Sequence, residues 1–405
     1  KEPDWPSYCD TDSTRRGRQV FPNADKHFSF HEDITQAVGT YGTITVEPAP
    51  ETQREPIAVD TFYAMSGPLA LGNIVTRKED TSMSLDSLQL EESTSGFEKS
   101  RCIHIAATIY LHHSIRLETL NITTKHLSVL LANFPTADDS SPVLVSNSTT
   151  ISLTHGSLTA VPFLRSRRTV IHSGTDSIYG TYPLYDLLSV SSSTGSINID
   201  ITPQAALPSS PAPAILEISS NTGSITAHYP PLTFTSPIPS REYRTSVTGG
   251  TSTTSGTFLH GHDTSLSTRT GAITASLLPY AADEYASSLS VVTSTGQQRV
   301  TVLPPYKKGT GKEGGRIKRM TSHHSSRTAS MDLAYPQEWV GDIEAETGTG
   351  SLVVRGKNVE VVEEGGKWGG KFVRGFKGEG EHRVSGGVEV RGGTGSVVLN
   401  VGDLY

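Results

Sequence analysis

Cysteine is almost missing from this chain. Cys9 and Cys102 are the two in 405 residues, and they form no metal-ligand pattern. In an oxidising compartment they are expected to tie an N-terminal extension to the body through one disulfide. In a reducing one, Cys102 reads as a small buried hydrophobe in an alternating strand. Charge is sparse as well: 19% of residues are charged and the formal net is −7, which argues against general nucleic-acid binding. The local exception, Lys307 to Arg319, is basic but Gly-rich and reads as a solvated loop. The longest apolar run, near "LSVLLANF", is far too short for a membrane span, so no transmembrane segment is expected. The chain starts at Lys1 and shows no signal-peptide pattern, and it reads as a trimmed or mature ectodomain. Helical periodicity is scarce. Apolar residues alternate with polar ones at period two, as in "CIHIAATIYL" and "VEVVEEG".

Ser, Thr and Gly fill the gap, and they return in one phrase. Counted from Gly195 as zero, Ile197, Ile199 and Ile201 stand at +2, +4 and +6, with Val190 and Leu188 at −5 and −7. The same offsets recur around Gly223, Gly271, Gly296, Gly350 and Gly395, and more loosely around Gly156 and Gly256. Ala329 takes the glycine's place in "RTASMDLAYP". Thr or Ser precedes the zero position at 194, 222, 255, 270, 295, 328, 349 and 394. At Gly296 the +2 residue is Gln298, which breaks the apolar pattern.

Each unit therefore reads as two short strands joined by a tight corner. The apolar positions change parity at the glycine, so only a bend or bulge there puts both sets on one inner face. A lone pair of short strands is marginal in water, and stacking neighbours would bury those faces in continuous columns. Hydroxyls beside the corner would form ladders along one edge. The predicted fold is all-β, a right-handed parallel β-helix or β-solenoid of irregular rungs; tandem β-sandwiches are the alternative. Residues 1–26 read as an extension, and residues 27–405 as a single elongated solenoid. Long mobile loops are expected at about 203–214 and 306–322.

"PLYDLLSVSSSTGSINIDITP", "ISSNTGSITAHYP", "LSTRTGAITASLLPY" and "YPQEWVGDIEAETGTGSLVVRGKNVEV" resemble a group of uncharacterised fungal proteins. That group is similar to the putative-adhesin class of domains of unknown function, with reiterated Ser-Gly-Ser-Ile rungs. The likeness covers about residues 27–405 and implies a right-handed β-solenoid at or outside the membrane. It brings no catalytic residues to carry over.

Chemistry is thin along the rest of the chain. No His-Glu-x-x-His, phosphate-binding Gly loop or Gly-x-Ser-x-Gly elbow occurs, and neither cofactor nor metal is expected. His260, His262 and Asp263 could offer two imidazoles and a carboxylate to a metal, although a loop is the simpler reading. Adjacent pairs such as His112-His113 and His323-His324 point to opposite faces of a strand and chelate poorly. A solenoid hydrolase or lyase would draw on Asp200, Asp332, Asp342, Glu344 and Glu346, with Tyr182, Tyr185, Tyr335 and Trp339 as sugar platforms. Solvated carboxylates and buried aromatics are the simpler readings. Asn121 and Asn147 head N-glycosylation patterns, which carry weight only in a secreted chain. The expected function is a non-enzymatic structural or adhesive protein, extracellular or at the cell surface, with the cytoplasm as the alternative location. Its expected partners are cell-wall or extracellular glycans, or other copies of itself. A carbohydrate-active enzyme is the alternative function.

Overall fold

The computed structural model describes residues 13–34, 39–65, 74–87, 103–132, 145–161, 165–229, 238–306, 315–366, 369–378 and 386–402. The chain divides into two compact units, Lys1–Pro183 and Leu184–Tyr405. Among the described residues both are built from strands, with no helix. Cys9, Cys102 and most of the basic stretch from Lys307 lie outside the described residues.

The first unit begins with β1 (Ser13–Phe21), β2 (His27–Asp33), β3 (Thr40–Pro48), β4 (Ile57–Met65) and β5 (Ile74–Lys78). It continues through β6 (Ser82–Ser87), β7 (Ile103–Leu111), β8 (Leu117–Thr124) and β9 (Ser128–Leu131). It closes with β10 (Val145–Leu153), β11 (Leu158–Ala160), β12 (Ser166–Ser173) and β13 (Ile178–Leu184). One sheet runs β1-β4-β7-β3-β9-β11-β13 and the other β5-β6-β2-β8-β10-β12. Neighbours are parallel except where β1 meets β4, β4 meets β7 and β5 meets β6. Part of the stretch read as an extension is thus a strand of the fold.

The second unit holds β14 (Leu187–Ser192), β15 (Ile197–Pro203), β16 (Ala214–Ser220), β17 (Ile225–His228), β18 (Tyr243–Gly249) and β19 (Thr254–His260). Next come β20 (Asp263–Thr268), β21 (Ile273–Pro279), β22 (Ser287–Thr293), β23 (Gln298–Val302), β24 (Met320–Ser326) and β25 (Met331–Tyr335). The last six are β26 (Gly341–Thr349), β27 (Leu352–Arg355), β28 (Val359–Gly365), β29 (Lys371–Lys377), β30 (Gly387–Thr394) and β31 (Val397–Val401). One sheet runs β15-β17-β19-β21-β23-β25-β31-β27, the other β14-β16-β18-β20-β22-β24-β30-β26-β29-β28. From β14 to β27 successive strands alternate between the sheets, so each repeat gives one strand to each. Inner and outer residues alternate along them, as in the buried Leu216, Ile218 and Ser220 of β16. Stacking then sets Ile199, Ala227, Ala275, Val300, Leu333 and Leu399 in the core.

Corner glycines are required by crowding more than by backbone angle. A Cβ on Gly223 would overlap the carbonyl of Gly195, and one on Gly296 would overlap that of Gly271. Among the repeat glycines only Gly156, Gly256, Gly350 and Gly395 have positive φ. Gly256 does not mark a corner: it pairs with Ala227 and Ala275 inside β19, which is the +4 position. The corner of that rung falls at Ser252, whose carbonyl meets the place of a Cβ on Gly271. A Gly-Gly-Thr-Ser turn at 249–252 replaces the usual phrase there, so Gly256 is not the zero position of its rung.

Two sets of hydroxyls hold the corners. At −1, Thr222, Thr251, Thr295 and Thr328 donate to the −2 carbonyl of the preceding rung at 3.3, 3.2, 3.3 and 3.1 Å. At −3 the hydroxyl is buried and closes its own corner: Ser220 donates to the Gly223 carbonyl at 2.9 Å and Thr268 to that of Gly271 at 2.6 Å. Gln298 is buried and donates to the Val291 and Ser325 carbonyls at 3.3 and 2.5 Å, which satisfies its amide nitrogen in the core.

Stacking order departs from chain order in both units. β31 lies between β25 and β27, and β30 between β24 and β26. In the first unit β2 lies between β6 and β8, and β3 between β7 and β9. In each case a strand pair near one end of the described chain is inserted between two pairs that follow one another in sequence.

Candidate functional site

An open depression lies on the outer face of the second unit. It encloses about 320 Å³ over β16, β18, β20 and β22. Strand register sets Glu217, Ser246, Ser265 and Ser290 in one row across these strands. A parallel row holds Arg244, Asp263 and Ser288. Ser246 and Ser265 on the middle strands line it together with Glu217 on β16 and Arg244 and Asp263 in the neighbouring row. Arg244 lies 2.6 Å from Glu242 and 3.9 Å from Asp263, and Asp263 also meets Nδ1 of His262 at 3.1 Å. The groove therefore offers hydroxyls, a guanidinium and carboxylates within a few strand widths.

Glu217 and Asp263 are two strands and two residues apart, which puts their Cα atoms roughly 12 Å from each other at ordinary sheet spacings. Paired-carboxylate glycoside hydrolysis works with carboxyl groups about 5–10 Å apart, bracketing the bond to be broken.

Residues singled out from the sequence are scattered. His260 is buried, pushed down to about 4 by that burial, with Nδ1 at 2.9 Å from Thr264 Oγ1. His262 is exposed and turned to Asp263, so the two imidazoles do not converge. His323 faces out to Glu389 at 3.1 Å while His324 faces in to the Tyr335 hydroxyl at 2.7 Å, as strand alternation requires. Glu344 pairs with Arg374 at 3.2 Å and Asp332 with Arg299 at 3.7 Å; Asp200 is exposed on β15. Tyr182, Tyr185, Tyr335 and Trp339 are buried and offer no sugar platform. Asn121 and Asn147 are exposed on β8 and β10.

No family model matches the chain, and no curated protein does. Two solved structures are similar to it. A protein of Clostridium sporogenes described as a "putative cell adhesion protein" is 8% identical, with 96% of this chain and 100% of that one covered at a TM-score of 0.19. A "putative adhesin" of Bacteroides fragilis is 10% identical, with 74% of this chain and 98% of that one covered at a TM-score of 0.26. Superpositions this loose establish neither fold nor function.

Other buried polar groups act as anchors. Asp186 and Arg241 form a buried ion pair at 3.0 Å, and Arg241 also donates to the carbonyls of Gln204 and Ala212 at 3.0 and 2.5 Å. The loop expected to be mobile at about 203–214 is thereby tied to the sheets. In the first unit Glu32 is buried and accepts from Ile34 N, Lys125 N, His126 N and the Thr124 hydroxyl at 2.7–3.0 Å. Burial alone would raise its pKa, but these bonds hold it below the ordinary carboxylate value.

The groove row is hidden in the sequence because Ser246 stands six before Ser252, not six before Gly256. Once the corner is placed correctly, Glu217, Ser246, Ser265 and Ser290 all stand at −6.

Proposed function

We propose that this chain is a β-solenoid protein of structural or adhesive role at the cell surface or outside it, binding extracellular glycan through the groove of the second unit. The observation that carries this reading is the row Glu217–Ser246–Ser265–Ser290 beside Arg244 and Asp263. Hydroxyls and charged groups on a rigid sheet can meet sugar hydroxyls without rearranging, and ordering few side chains keeps the entropy cost low. Parallel strands repeating in two sheets, with the same corner in successive layers, support the solenoid. The resemblance to putative-adhesin repeats agrees with it.

Binding of the purified chain to arrays of cell-wall and extracellular polysaccharides tests the reading. Retention of at least one class is expected, with loss on filling the groove by Ser265→Phe. Absence of binding to every class overturns it. Release of soluble sugar from a polymer, abolished by Glu217→Gln, would replace it with the enzyme.

A further inference from the structure

We propose that copies of this chain associate through unlike sheet edges, the basic strand β1 of one copy adding to the acidic strand β28 of the next. This goes beyond glycan binding and does not depend on it.

Among the described residues each of these strands has one neighbour, β4 for β1 and β29 for β28. No described residue pairs with the other side of either strand, and the backbone donors and acceptors there form a template for a further strand. Such edges are often blunted by charge, and here the charges are of opposite sign. β1 carries Arg15, Arg16 and Arg18; β28 carries Glu360, Glu363 and Glu364. Arg18 is engaged with Asp60 at 3.0 Å and Glu363 with Arg374 at 3.2 Å. Arg15, Glu360 and Glu364 make no ion pair among the described residues. Two β1 edges, or two β28 edges, repel one another; a β1 edge and a β28 edge attract.

β28 is also short of cover. Both of its faces are open, and Val361 and Val362 are 44% and 70% exposed. A bulge between Val361 and Glu363 pushes Val362 outward, which obstructs a regular partner strand. β1 has a glycine for that place. Aligned antiparallel with Gly17 opposite Val362, Arg15 faces Glu364 and Arg16 faces Glu363. Aligned parallel with the same pair opposed, Arg15 faces Glu360 and Arg18 faces Glu363. Arg18 already serves Asp60, whereas Arg16 stacks over the Phe62 ring at 5.2 Å and makes no ion pair among the described residues, so the antiparallel alignment uses the arginines without a carboxylate partner. A contact between different patches is heterologous, so it propagates from copy to copy into rings or filaments.

Sedimentation velocity of the full chain over a range of concentration reads this directly. Oligomers are expected at about 0.05 M salt, with association at least about tenfold weaker at about 0.5 M. Glu360→Lys with Glu364→Lys should leave monomers, and so should Arg15→Glu with Arg16→Glu. Mixing the two reversed variants should restore association, because each again meets an edge of opposite charge. That restoration also separates a lost contact from a lost fold. A chain that stays monomeric at low salt, association indifferent to salt or to both reversals, or a mixture that stays dissociated overturns the proposal.

Discussion

Leu333 is the direct strand partner of Leu399, although β26 to β30 lie between them in the chain. Val354, which follows Leu333 more closely in sequence, pairs with Leu399 from the other side. The C-terminal strands therefore close the stack from within. Leu399→Ala removes packing against both neighbours and is expected to cost about 2–5 kcal/mol in urea unfolding. A cost below about 1 kcal/mol would mean that β31 is dispensable to the stack.

Corner crowding predicts an unusual intolerance of alanine. Gly296→Ala drives a methyl into the Gly271 carbonyl, with no positive φ involved. Destabilisation of about 2 kcal/mol or more is expected by thermal or denaturant melting. Gly315→Ala, whose nearest contact is 3.4 Å from Asp283, should shift stability by no more than about 0.5 kcal/mol. Equal effects at both positions would remove crowding as the reason for the corner glycines.

Two buried histidines set an acid limit. Burial holds His260 at about 4 and His324 at about 3, below the ordinary value of 6.5. The unfolded chain then binds more protons than the folded one below that ordinary value. Stability should fall as pH drops from about 6.5 towards 4, by up to about 1.4 kcal/mol per pH unit for each histidine. His324→Leu should flatten the pH dependence between about 6.5 and 5. Unchanged steepness in that variant would show that His324 does not carry the effect.

The Asp186–Arg241 pair anchors a loop from inside the fold. Arg241→Met strands a buried carboxylate and is expected to cost about 3–5 kcal/mol, while Asp186→Asn with Arg241→Met should cost less than that single change. The double-mutant cycle by denaturant unfolding reads the difference. Additive costs would mean the ion pair is not what holds residues 204–212.

The groove predicts separable binding and stability. Ser265→Phe should weaken retention on a bound glycan at least about tenfold, with unfolding changed by no more than about 0.5 kcal/mol, since position 265 faces solvent. Unfolding that shifts with binding would make the loss a folding effect.

Strand content and inner columns were legible from the chain because they depend on local spacing. Alternation decides which side chains can share a face, and the recurring glycine marks where that alternation changes parity. Ile197, Ile199, Leu216 and Ile218 occupy the interior as their offsets require. The corner at Ser252 was not legible, because only strand register distinguishes it from Gly256. Nor was the groove, whose row depends on that register.

Sequence by itself determined an all-β chain of stacked corners, since period-two patterning and a crowded glycine act within a few residues. Tertiary structure alone decided that β31 separates β25 from β27 and that β3 separates β7 from β9. Those pairings join segments distant in the chain, and similar Val and Leu patterns fit either stacking order. What selects between them is the complete set of ladders and the edges left over, which no local pattern records.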